Sequence, residues 1–112
     1  MTAPEPGTPH TGPHRAELDL DGAGDESTFF ERCARDLDLP TWFGRNWDAL
    51  DDCLRDLSWW GRPSGYEIHV NGWQHLRATA PDVARTAADV LADAMEYWSS
   101  RGTPLAVTFA EE

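Results

Sequence analysis

Apolar residues recur with a helical period in three parts of the chain, which predicts three amphipathic helices. The predicted helices span residues 27–37, 46–57 and 81–100. Ser27 and Asn46 stand where an N-cap is needed, and their side chains can accept a hydrogen bond from a free backbone N–H. Pro81 suits the first turn of the third helix, and Gly102 ends that helix.

Short runs of alternating or continuous apolar residues predict three strands, at residues 15–20, 66–70 and 105–109. Residues 58–65 are rich in helix breakers and predict a loop, and Asn71-Gly72 predicts a turn into a short segment with Trp73 and Leu76. Long helical connections between strands imply parallel pairing with right-handed crossovers. The predicted fold is therefore α/β, a small three-stranded parallel sheet packed with helices.

Prolines and glycines are concentrated in residues 1–14, which predicts a disordered tail. The remaining residues, 15–110, are predicted to form a single domain, since a chain of 112 residues suits one small domain. No internal repeat is visible, and a hydrophobic content of 40% with six tryptophans is enough for a core.

The balance of charge narrows the choice of partner. Nine basic residues, all of them arginine, stand against 20 acidic ones and give a net charge of −11. This charge argues against binding a nucleic-acid backbone, which requires a basic surface. It favours a basic protein partner and fast, salt-sensitive association. On composition alone, solubility is the simpler explanation of the acidity.

Nothing in the sequence predicts export or membrane insertion. There is no charged start followed by an apolar run, and no apolar stretch approaches the roughly 20 residues of a membrane span. Cys33 and Cys53 lie among apolar neighbours without metal-site spacing, so reduced thiols and a cytoplasmic location are expected. The sequence leaves a disulfide between them open.

The second predicted helix separates its apolar and charged residues. At about 100° per residue, one stripe must face a core. That stripe consists of Trp47, Leu50, Leu54 and Leu57. The opposite face consists of Asp48, Asp51, Asp52 and Arg55. Carboxylates gathered beside the aromatic pair Trp42-Phe43 fit a cation-rich concave surface on a partner.

The segment from Leu39 to Leu54 resembles the barstar-like family. The shared pattern is leucine, proline, any residue, two aromatics, glycine, any residue, asparagine, any residue, Asp-Ala-Leu, any residue, Asp-Cys-Leu, and the segment meets it in order. The resemblance implies the predicted fold. It also implies an inhibitor that binds one molecule of a basic, secreted, barnase-like and guanyl-preferring ribonuclease. It implies no catalytic step, cofactor, metal or small-molecule substrate.

The resemblance also assigns roles to single residues. Asp52 matches the aspartate that enters the nuclease cleft and takes the place of the substrate phosphate. Asp48 matches a second acid, which pairs with a rim arginine. Asn46 matches an interface position, and helix capping is at least as good a role for it. Trp42 matches an aromatic that packs against the catalytic site, or else it staples the helix start.

Three more residues in or near the second predicted helix belong to the expected partner-binding segment: Phe43, Gly44 and Asp51. Phe43 fits the core better than the interface, although it belongs to the matched pattern. Gly44 either adopts a positive φ or lets the partner approach closely. Asp51 replaces an aromatic of the family, which makes the face more acidic and suggests a different nuclease with a more basic rim.

The edge of the expected interface is formed by residues further along the chain. Arg55 can pair with Asp51 at i, i+4. Trp59 or Trp60 can supply the aromatic that follows the binding helix. The family has an acid five residues before the glycine that ends its last helix. Counting back from Gly102 reaches Tyr97, and Glu96 is the acid one residue away.

Parts of the sequence are also compatible with other classes of function. Asp48, Asp51 and Asp52 could hold a metal in an enzyme, but no phosphate-binding loop or zinc-binding helix accompanies them. His69 and His75 could form an acid–base pair, although roles in a strand and a loop suit them better. The main alternative keeps the fold: an immunity or regulatory protein against a different basic toxin or nucleic-acid-binding protein.

Overall fold

The computed structural model describes residues 12–110, which form three strands, four α-helices and one short 3-10 helix. In chain order the strands and helices are β1 (His14–Asp19), α1 (Glu26–Asp36), α2 (Trp47–Leu54), a 3-10 helix (Ser58–Trp60), β2 (Tyr66–Asn71), α3 (Trp73–Thr79), α4 (Pro81–Ser99) and β3 (Leu105–Phe109).

The three strands form one parallel sheet in the order β1-β2-β3, which confirms the predicted α/β fold. The register aligns Ala16 with Ile68 and Ile68 with Val107. Along β2, Tyr66, Ile68 and Val70 are buried while the residues between them are half-buried. This alternation shows that the helices cover one face of the sheet, as two right-handed crossovers in the same direction require.

The other face of the sheet is polar. Arg15 and Glu67 form an ion pair of 2.9 Å across β1 and β2. His69 Nδ1 lies 2.8 Å from Thr108 Oγ1 across β2 and β3, so His69 is a strand residue in a cross-strand pair. Parallel sheets usually have both faces covered. Here polar side chains that pair across the strands make a second layer of helices unnecessary.

The first helix begins earlier than predicted. Asp25, and not Ser27, is the N-cap, and its side chain accepts a hydrogen bond of 2.8 Å from the Thr28 backbone N–H. This hydrogen bond holds the pKa of Asp25 below the ordinary aspartate value. Asp25 and Ser27 are both residue types that can cap a helix. Ser27 was the wrong choice, because the helix begins at Glu26 and its cap is the residue before it.

Other boundaries also differ from the prediction, most of them by a single residue. β1 begins at His14, and the rest of the predicted tail falls almost entirely in residues 1–11, outside the described part of the chain. Helix α2 ends at Leu54, three residues early, because the chain turns there and Leu57 adopts a left-handed φ of 52°. Leu57 is nevertheless fully buried, as its place on the apolar stripe predicted.

The core lies between the helices and the covered face of the sheet. Cys33 and Cys53 are both buried within it as free thiols, as expected. Burial raises the pKa of both thiols. Trp98 of α4 donates its indole N–H to the Leu54 carbonyl at 2.7 Å, which fixes the C-terminal end of α2 against α4. Among the described helices, none is both long and apolar enough to cross a membrane.

Candidate partner-binding face

A tight turn before α2 projects Trp42 outwards. The Phe43 backbone N–H donates to the Pro40 carbonyl at 2.9 Å, which closes a turn with Trp42 at its corner. Trp42 is 64% exposed, whereas Phe43 is only 7% exposed and packs edge-on against Phe30 at 6.0 Å. Phe43 therefore anchors the turn in the core. The exposure of Trp42 also shows that it does not staple the start of α2.

Backbone strain in this loop falls on Arg45 and not on Gly44. Arg45 has a φ of 57°, while Gly44 is absent from the positive-φ positions of the described chain. Of the two alternatives for Gly44, the positive φ was therefore wrong, and the close approach of the partner stays a prediction. A Cβ at Gly44 would lie 3.2 Å from Asn46 Nδ2. The glycine thus leaves room for the side chain that begins the helix.

Asn46 is the N-cap of α2, as predicted. Its Oδ1 accepts a hydrogen bond of 2.8 Å from the Ala49 backbone N–H, and its Nδ2 donates to the Gly44 carbonyl at 3.3 Å. The next residue, Trp47, packs on Phe30 at 4.8 Å and donates its indole N–H to Glu26 at 2.9 Å. These contacts hold the start of α2 against α1, so the helix is fixed before any partner arrives.

Three carboxylates on α2, those of Asp48, Asp51 and Asp52, form what we call the acidic face. Asp48 and Asp52 are exposed, and neither forms an ion pair or side-chain hydrogen bond within the described part of the chain. Asp51 differs, because its Oδ1 lies 3.1 Å from Arg55 Nε, as the i, i+4 spacing predicted. The acidic face therefore presents two uncompensated charges, Asp48 and Asp52, beside one that is already paired.

Arg55 connects the acidic face to α4. Its guanidinium carbon lies 5.3 Å from the centre of the Tyr97 ring, and Arg101 lies over the same ring at 4.4 Å. The hydrogen bond with Asp51 raises the pKa of Arg55, and the nearby Asp93 carboxylate raises it further. The sequence did not indicate Asp93 or Arg101, and it reached Tyr97 only by counting back from Gly102, because the proximity of all three to Arg55 depends on how α4 packs against α2.

Trp59 and Glu96, the last two residues expected to contact the partner, lie in different environments. Trp59 is half-buried and donates its indole N–H to the Leu37 carbonyl at 3.1 Å, so it serves the packing of the loop after α2. Glu96 is exposed and lies about 200° around the helix from Trp98, the residue that faces α2. Tyr97, the residue reached by counting back from Gly102, is the one beside the acidic face.

The positions of the acidic-face carboxylates can also be compared with the metal site that a metal-dependent enzyme would need. Between residues 12 and 110, no group of three histidine, cysteine, aspartate or glutamate side chains is arranged to hold a metal ion. The carboxylate of Asp51 is engaged by Arg55, which removes one ligand from the set that the sequence offered. The arrangement instead offers a charged, preformed surface with an exposed tryptophan at its edge.

The fold and this face define a small α/β domain that presents an acidic helix. A family model described as Barstar (barnase inhibitor) matches residues 14–110, and the chain therefore belongs to the barstar family. The resemblance seen in the segment from Leu39 to Leu54 is thereby confirmed. Members of the family are inhibitors and not enzymes, and the family implies a ribonuclease as partner. No curated protein matches the chain.

Proposed function

We propose that this protein inhibits a basic, secreted, guanyl-preferring ribonuclease by plugging its active-site cleft in a 1:1 complex. The observation that carries the proposal is the pair of uncompensated carboxylates, Asp48 and Asp52, on a fixed helix next to an exposed Trp42. The inhibitor would act in the cytoplasm, where it would hold the ribonuclease inactive before export. It needs no cofactor and takes part in no covalent step.

The physical basis is replacement of the substrate phosphate. A nuclease that cleaves a phosphodiester by acid–base chemistry lines its cleft with arginine, lysine and histidine side chains. A carboxylate such as that of Asp52 can accept charge-assisted hydrogen bonds from these groups. Because α2 is already held by its cap and by Trp47, little conformational entropy is lost when the complex forms.

The structure also supports a ranking among the carboxylates. Asp52 has no cation of its own in the described part of the chain, whereas Asp51 already shares its charge with Arg55. Hot-spot residues at protein interfaces cost at least about 2 kcal/mol when truncated, roughly 30-fold in Kd. Asp52→Ala should therefore weaken binding much more than Asp51→Ala.

The test combines calorimetry with an RNA-cleavage assay on a panel of small secreted bacterial guanyl-preferring ribonucleases. We expect 1:1 binding that abolishes cleavage, a loss of at least about 30-fold in affinity for Asp52→Ala, and a small loss for Asp51→Ala. Association should also slow as salt is raised, because opposite charges steer the encounter. Circular dichroism of both variants serves as the control for folding, since neither side chain is buried.

The outcomes separate two kinds of failure. Equal effects of Asp51→Ala and Asp52→Ala would show that the assignment of Asp52 to the cleft is wrong. Absence of binding to the whole panel would refute the ribonuclease proposal and favour the second candidate, an immunity protein of the same fold against a different basic toxin. The presence of Asp51 where the family has an aromatic favours a different ribonuclease with a more basic rim, because it changes the face that the partner must match.

A further inference from the structure

A short positive surface borders the acidic face. Arg55 and Arg101 both lie over the ring of Tyr97, at 5.3 and 4.4 Å from its centre. We call these three residues the arginine rim. Because Arg55 also pairs with Asp51, a continuous set of contacts leads from the acidic face to Arg101.

The two arginines differ in how far their charge is compensated. Arg55 has Asp51 within 3.1 Å and Asp93 nearby, so much of its charge is balanced. Arg101 is exposed and has no carboxylate within ion-pair distance in the described part of the chain. Its contact is with the Tyr97 ring, which attracts a cation but carries no net charge. The arginine rim therefore presents a net positive charge.

This charge conflicts with a partner surface that is basic throughout. If Asp48 and Asp52 enter a basic cleft, the arginine rim approaches the border of that cleft. A lysine or arginine of the partner at this border would repel the rim, and like charges that face each other across an interface suppress binding. A carboxylate at the same place would complement it.

We propose that the cognate partner carries an acidic residue beside its basic cleft, and that the arginine rim selects for it. This inference rests on the proposed function and adds a requirement for the nuclease surface. In this arrangement Asp52 provides affinity for basic clefts in general. Arg101 distinguishes between nucleases that share such a cleft, so it is a specificity-determining residue.

The experiment compares Arg101→Ala and Arg101→Glu with matched changes at Arg85, measured by calorimetry against a panel ribonuclease that the unaltered protein binds. Arg85 lies on α4, about 21 Å along the helix axis from its last residue, Ser99, whereas Arg101 follows the end of that helix. The Arg85 side chain is 75% exposed and forms a surface ion pair of 3.6 Å with Asp82. Loss of a positive charge far from the interface should leave the affinity for a basic partner unchanged or slightly improve it. The Arg85 variants therefore measure the non-local effect of charge.

We expect Arg101→Ala to weaken binding roughly 1.5- to 5-fold, the effect of one exposed ion pair. Arg101→Glu should weaken it further, since attraction becomes repulsion, while Arg85→Ala and Arg85→Glu should not weaken it. If both Arg101 variants bind as tightly as the unaltered protein or more tightly, the inference is overturned, even where Asp52→Ala still weakens binding as expected. If no ribonuclease of the panel binds, the proposed function fails and the inference fails with it.

Discussion

Asn46→Ala should destabilise the protein through the start of α2. The Asn46 Oδ1 accepts the Ala49 backbone N–H at 2.8 Å, and this N–H has no partner inside the helix because it lies in the first turn. Loss of an N-cap costs about 1 kcal/mol, within a range of about 0.5–2 kcal/mol. For a domain of this size, 1 kcal/mol lowers Tm by about 4–8 °C.

Asn46→Asp is the matched control, because aspartate keeps the accepting oxygen and places a negative charge at the helix N-terminus. Urea and thermal unfolding should show a clear loss for Asn46→Ala and almost none for Asn46→Asp. Equal losses for the two variants, or no loss for alanine, would refute the capping argument. Binding of Asn46→Asp to the ribonuclease then tests the second role. If Asn46 acts only as a cap, the aspartate variant binds at least as tightly as the unaltered protein, because its added negative charge favours a basic partner.

Two further predictions concern stability. Gly72 has a φ of 78°, and a Cβ there would lie 2.6 Å from the Leu20 carbonyl carbon. Gly72→Ala should therefore lower the free energy of unfolding, measured by urea titration, by at least about 2 kcal/mol. Gly102→Ala is the control, since its φ is 80° and nothing lies within 4 Å; equal losses would mean that the clash is unimportant. Burial tends to raise the pKa of Asp36, but hydrogen bonds from Arg35 and the Asp19 amide outweigh it and hold that pKa below the ordinary value of 3.8. Its contribution to stability is therefore complete well above pH 3.8 and is lost as the pH falls through the lower folded-state pKa. Asp36→Asn should flatten the dependence of unfolding free energy on pH in this acid range, and an unchanged slope would contradict the assignment.

The features that the sequence predicted well are those set by local pattern. The three strands follow from short apolar runs, and β3 has the predicted bounds. The cap at Asn46 and the Asp51–Arg55 pair follow from spacing within one helix. The one three-residue error, the end of α2 at Leu54, arises where the chain turns to pack and not where the pattern changes.

The features that the sequence did not predict depend on the contact between two helices. Nothing in the spacing of α4 shows that Tyr97 lies beside Arg55, because that contact needs the crossing of α2 and α4. The choice of Glu96 relied on residue type, whereas the packing of Trp98 on Leu54 determines which side of α4 faces the site. The positive φ at Arg45 was missed for a different, local reason, since the adjacent Gly44 is the usual place for it.

The three carboxylates of the acidic face differ in how their charge is balanced in the free protein. Asp48 lies in the first turn of α2, where the helix dipole favours a negative charge. The charge of Asp51 is balanced by its ion pair with the Arg55 guanidinium. Asp52 has neither, and its charge contributes, after burial and Asp56, to the raised pKa of the Cys53 thiol beneath it. A carboxylate left unbalanced on a fixed helix lowers the stability of the free protein slightly and gains most from an external cation. The residue expected to contribute most to binding is thus the one that the fold compensates least.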